Sequence, residues 1–92
     1  MLSHIRAHIA LDTQPIILNF LSLMGEEPDS YIIENDDGRY RANARSILGL
    51  MYMATEHPKE LFIRNVTHDG QFPSWLDSFR LYGTPSTEEF TV

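Results

Sequence analysis

A few short stretches of the chain carry residue types that can do chemistry. Leu11-Asp12-Thr13-Gln14-Pro15 sets a carboxylate at the head of an apolar run, Ile16, Ile17, Phe20, Leu21, Leu23 and Met24, whose members recur at helical spacing. A carboxylate there can cap the helix, because the first N–H groups of a helix have no partner within it. Ser46 stands in the same relation to a second apolar run, Ile47, Leu48, Leu50, Met51 and Met53. Its hydroxyl suits a cap. Arg39, Arg41 and Arg45 form a basic stretch, suited either to solvated edge charge or to holding a phosphate or an acidic partner. His4 and His8 are four apart. On a strand that spacing is about 13 Å, at about 3.3 Å per residue, too far to share one metal ion. They are expected to face solvent, as are His57, beside a proline, and His68, beside a turn. Asp36, Asp37 and Asp69 fall in turns and make no general acid–base pair.

The elements that must position these residues follow from the periodicity. His4 to Leu11 alternates, with Ile5, Ala7, Ile9 and Leu11 on one face, which predicts a half-buried strand. The first helix follows, with Asp12 expected as its N-cap and Gly25 at its end. Ser30–Asn35 and Arg39–Ala44 read as strands joined at Asp36-Asp37-Gly38, a hairpin signal. The second helix starts after Ser46 and is broken at His57-Pro58-Lys59. Leu61–Val66 is a fourth strand, turned at His68-Asp69-Gly70. Phe72, Trp75, Leu76, Phe79 and Tyr82 have the stripe spacing of a third helix, over about Pro73 to Tyr82. Thr84 to Val92 is polar, contains a proline and is expected to be a loose tail. The order is β-α-β-β-α-β-α, an α+β chain with helices expected on one face of an antiparallel sheet. In the second helix Leu50, Met53 and Ala54 suffice for one buried face. Ile47, Leu48 and Met51 are then surplus and are expected to form an exposed apolar patch, the mark of a protein interface.

Composition narrows the function classes. At 92 residues the chain suits one compact domain. It has no cysteine, so disulfides, thiolate nucleophiles and cysteine-ligated metal centres are excluded. The 13 acidic residues against 7 basic ones give a formal charge of −6, which opposes binding to nucleic acid or an anionic membrane surface. Nothing approaches the run of about 20 apolar residues that a membrane-spanning helix needs, and the N-terminus lacks the apolar core of a signal peptide. A cytoplasmic protein is the expectation. No Gly-rich phosphate loop, hydrolase signature or nucleic-acid motif is present.

Asp37-Gly38-Arg39-Tyr40-Arg41-Ala42-Asn43-Ala44-Arg45-Ser46-Ile47-Leu48-Gly49-Leu50 resembles the N-G-K…A-K-S-[ILM]-x-x-L segment of the HPr family, the histidine-containing phosphocarriers of the bacterial sugar phosphotransferase system. Leu11-Asp12-Thr13-Gln14-Pro15 resembles, more weakly, that family's active-site L-H-[TA]-R-P. The resemblance runs from about His4 to Tyr82. It implies an HPr-like open-faced sandwich over residues 1–83, with a four-stranded antiparallel sheet, three helices on one face and a polar tail at 84–92. It also implies that Asp12 stands where the family has its phospho-accepting histidine, and Gln14 where it has the arginine that holds the phosphate. Acceptor and charge partner are then both gone, and the aspartate adds a negative charge that repels an incoming phosphoryl group. The function so implied is a regulatory or adaptor paralogue, not an enzyme, without cofactor or metal, binding protein partners of the phosphotransferase system or its regulators. Ser46 matches the family's regulatory phosphoserine, and Ile47, Leu48 and Met51, with Arg45 beside them, match its docking patch. The alternative is a phosphotransfer protein still modified at Asp12 or, by a serine kinase, at Ser46.

Overall fold

The structure is a computed structural model that describes residues 3–80 and 87–91. Its elements are β1 (Ser3–Ile9), α1 (Gln14–Met24), β2 (Tyr31–Glu34), β3 (Arg41–Asn43), α2 (Ile47–Glu56), β4 (Leu61–Asn65), a 3₁₀ helix (Ser74–Phe79) and β5 (Thr87–Thr91). The strands form one antiparallel sheet in the order β3-β2-β4-β1-β5.

Strand parity sorts the side chains. Ala7, Ile9, Tyr31, Ile33, Leu61 and Ile63 point to one face, where they join Ile17, Phe20 and Met24 of α1, Leu50 and Met53 of α2, and Leu76 and Phe79 of the 3₁₀ helix in a single buried core. Phe20 anchors it, with its ring edge-on to Trp75 at 5.6 Å and to Phe79 at 5.4 Å. Burying a side chain of this size is worth about 1.5–3 kcal/mol. The opposite face, carrying His4, Arg6, His8, Ile32, Glu34, Arg41, Phe62 and Arg64, packs against no helix. No helix among the described residues is long and apolar enough to cross a membrane.

The four expected strands are all present, and a fifth joins them. Residues 87–91, read as loose tail, instead pair with β1 from Ser3↔Thr91 to Ala7↔Thr87. The physical reason is the edge: β1 pairs with β4 on one side, and its other side presents unpaired N–H and C=O groups. The polar, acidic character that read as tail is also how edge strands are composed.

The third helical segment forms, but as a 3₁₀ helix that stops at Phe79 rather than an α-helix running on to Tyr82, which lies outside the described residues. Arg80 takes an extended conformation and bridges Ile9, while the Ala10 N–H donates to Phe79 O at 2.8 Å. Pairing to the end of β1 ends the helix early, and Pro73 offers no side-chain cap to lengthen it.

The first helix begins one residue later than expected. Thr13, not Asp12, is its N-cap, with extended backbone and with Oγ1 accepting from the Ile16 N–H at 3.4 Å. With Thr13 as cap, Pro15 falls at the second helical position, where a missing N–H costs nothing within the helix, and the capping bond goes to Ile16 at the third. Gly25 is the C-cap itself, in a right-handed conformation. In the β2–β3 hairpin Gly38 supplies the positive φ of 73° that the turn requires, and Asn35 Oδ1 closes it by accepting from the Tyr40 N–H at 3.1 Å.

Candidate functional site

Two helix heads carry the residues singled out by sequence. At the head of α1, Asp12 and Gln14 are both exposed. Asp12 makes no side-chain hydrogen bond or ion pair among the described residues, and the first turn holds no acidic group. It is an exposed carboxylate just ahead of the cap, in no ion pair among the described residues.

The head of α2 is more tightly built. Ser46 caps it in extended conformation, and its Oγ accepts from the Gly49 N–H at 3.1 Å. Gly49 is required there by close approach, since a Cβ would fall 2.8 Å from Ala42 Cβ and 3.2 Å from Ser46 Oγ. Beyond the cap, Leu48 is 79% exposed and Ile47 42%. Met51 does not share that exposure; one turn further along the helix, it is partly buried against the core. The exposed apolar surface extends elsewhere, through Tyr52, to Tyr40 on the hairpin, whose rings both pack on His57, at 6.4 and 5.1 Å.

Arg45 is not available to a partner in the way expected. Its Nε donates to Met24 O at 3.3 Å and its Nη2 to Asp29 O at 2.9 Å and to Glu27 O. These carbonyls belong to the C-terminal end of α1 and the segment after it, which lack intrahelical donors and carry partial negative charge. Arg45 therefore ties α1 to the start of α2, although much of its surface is open. Glu27 in turn accepts from Trp75 Nε1 at 3.0 Å, which fixes the same segment to the 3₁₀ helix.

Two polar constellations were not legible in the sequence. In the first, His68 Nδ1 and Asn65 Nδ2 both donate to Asp29 Oδ2, at 3.1 and 2.9 Å. The Asn65 hydrogen bond, and after it that from His68, holds the Asp29 carboxyl below its ordinary value. Asn65 is 1% exposed, and its Oδ1 accepts from the N–H groups of Thr67 and His68. His68 is thus oriented, not merely a surface residue. In the second, on the helix-free face of the sheet, Arg6, Arg41 and Arg64 surround Glu34. His4 and His8 belong to this face and are partly buried: His8 stacks on Phe62 at 4.3 Å and donates from Nε2 to Lys59 O at 2.8 Å. The available signal was the shared strand parity of Arg6, Glu34, Arg41 and Arg64, which becomes informative only once the strand order is known. Among the described residues no group of three or more histidines and carboxylates is placed to hold a metal ion.

No protein-family model, curated protein or solved structure matches the chain.

Proposed function

We propose that the protein is an HPr-like adaptor of the bacterial sugar phosphotransferase system. In this reading it binds protein partners of that system, or its regulators, through the head of α2 and relays no phosphate through the head of α1. The observation that carries the reading is the exposure of Leu48 and Ile47 on a helix head that is otherwise firmly fixed, by Ser46, by the Gly49–Ala42 contact and by Arg45. Large apolar side chains held out on a rigid support suit a docking surface, because little ordering entropy remains to be lost on binding. The exposed Asp12, in no ion pair among the described residues, supports a head of α1 that relays no phosphate. The element order from β1 to the 3₁₀ helix agrees with the family resemblance.

Intact-protein mass after incubation with phosphoenolpyruvate and the system's first enzyme tests the reading. The expected mass is unchanged, and a gain of one phosphate on Asp12 or on any histidine overturns it. Capture of purified phosphotransferase components on the immobilised chain is the second arm. Binding that Leu48→Asp abolishes is expected, and binding indifferent to Leu48→Asp removes the docking surface from the proposal.

A second reading, modification of Ser46 by a serine kinase, is favoured by the position of Ser46 Oγ over the first turn of α2. A phosphate there can accept from the free N–H groups of that turn. Mass after incubation with such a kinase decides it, with Ser46→Ala as the control.

A further inference from the structure

The helix-free face of the sheet gathers more positive charge than its own carboxylate can match. Pairing brings Arg6 of β1, Glu34 of β2, Arg41 of β3 and Arg64 of β4 to this face. Arg6 is 1% exposed, and its Nη1 donates to Glu34 Oε1 at 3.3 Å, to Asn35 O at 3.2 Å and to Asp36 O at 3.1 Å. Its ring-facing side lies over Phe62, with Cζ 4.1 Å from the ring centroid. Arg6 and Glu34 therefore offset one another within the sheet surface. Register also sets Glu88 of β5 opposite Arg6, on the side of β1 away from Arg64 and Arg41.

Arg41 and Arg64 remain. Their Nε atoms approach Glu34 Oε2 at 3.7 and 3.9 Å, too far for hydrogen bonds. Arg41 Nε instead donates to Gly38 O at 2.9 Å. Arg64 Nη1 donates to His4 Nδ1 at 3.3 Å, and its buried Nε has no acceptor among the described residues. Both guanidiniums thus keep donors with no acceptor among the described residues, and they flank Glu34 Oε2, whereas Arg6 Nη1 bonds the other carboxylate oxygen, Oε1. A partly buried guanidinium whose donors are unmet is costly, and an anion that meets them recovers that cost.

We propose that Arg41 and Arg64 form a binding site for a dianionic oxyanion, a phosphate or the phosphate of a monoester, on the open face of the sheet. Two guanidinium forks supply both the charge and the paired N–H geometry that a tetrahedral dianion takes up. The strands β3 and β4 flank β2, and Arg41 stands opposite Glu34 while Arg64 stands opposite Ile32, so the two backbones lie about 12 Å apart, at about 4.8 Å per strand and about 3.3 Å per residue, with the side chains reaching toward Glu34 between them. The Arg41 side chain is 54% exposed and that of Arg64 12%, so the anion enters over Arg41 and reaches Arg64. The site is independent of the α2 docking surface and of the family reading.

An amide NMR titration of the whole chain with sodium phosphate, at ionic strength held constant with chloride, tests the site, with O-phospho-L-serine in a parallel series. Saturable shifts centred on Arg41, Ile32 and Arg64 are expected, with affinity falling about tenfold or more in Arg41→Gln and in Arg64→Gln. Arg39→Gln, an exposed arginine in the adjoining turn, should bind as the wild type does. Saturation by phosphoserine but not by free phosphate assigns the ligand to phosphorylated side chains and keeps the site. No saturable shift with either probe overturns the proposal, as does affinity unchanged in Arg41→Gln. Because the Arg41 side chain is largely exposed, that variant keeps the experiment decisive even where Arg64→Gln fails to fold.

Discussion

Among single residues, exposure and energetic importance part company in this protein. Arg45 and Leu48 both lie on open surface at the head of α2, yet only Arg45 holds other parts of the chain. Arg45→Met removes donors from three carbonyls near the end of α1 and should cost about 1–2 kcal/mol by urea unfolding. Leu48→Ser should stay within about 0.5 kcal/mol. Arg45→Lys should recover only part of the loss, because one ammonium cannot span carbonyls that a planar fork reaches together. Asp29 gives the residue-scale pH dependence. Its carboxyl is held below the ordinary value of 3.8, first by the Asn65 hydrogen bond and then by His68. A depressed carboxyl contributes stability that is present above its unfolded value and is lost as pH falls through its folded value. Unfolding free energy of the wild type should therefore decline more steeply below about pH 4 than that of Asp29→Asn. Parallel declines in the two proteins would show that Asp29 is not the group responsible.

Between elements, β3 comes close to the first turn of α2 at Gly49. Alanine in place of a helical glycine ordinarily stabilises by about 1 kcal/mol. Here the added Cβ meets Ala42 Cβ at 2.8 Å, and overpacking of that kind costs about 1–3 kcal/mol. The clash should win, so Gly49→Ala destabilises, and Ala42→Gly in the same chain restores part of the loss. A stabilised Gly49→Ala would mean that β3 yields readily. The same contrast separates what could be read in the sequence from what could not. Period-two runs around Ala7 and Ile63 and the caps at helix heads are local signals, and they located β1, β4 and Ser46. The shortfall at Tyr82, the pairing of 87–91 with β1, and the shift of the cap from Asp12 to Thr13 each depend on something beyond local periodicity. For the first two it is the free edge and end of β1. The third turns on which residue at the helix head takes extended backbone, here Thr13, and the spacing of apolar residues does not record that. The arginine cluster was hidden for a related reason, since its members lie on four different strands whose order no single segment encodes.

For the molecule as a whole, the sheet is held by unlike means on its two faces. The helix side is an apolar core from Ala7 to Phe79, whereas on the other side one buried carboxylate, Glu34, faces arginines from β1, β3 and β4. Such a cluster specifies strand register, because a one-residue slip of β2 would turn Glu34 into the apolar core and leave the arginines without it. It need not add much net stability, since desolvating the charges offsets much of their attraction. These two roles separate experimentally. Glu34→Leu leaves the 1%-exposed Arg6 without its carboxylate and should cost about 3–5 kcal/mol. Adding Arg6→Met removes the cation that Glu34 faced, so the double variant should recover part of that loss despite carrying two substitutions. Urea unfolding of the wild type, both single variants and the double closes the cycle. A double variant as unstable as the two single losses added together would mean that Arg6 and Glu34 act independently, and that the coupling of the strands through this carboxylate is absent.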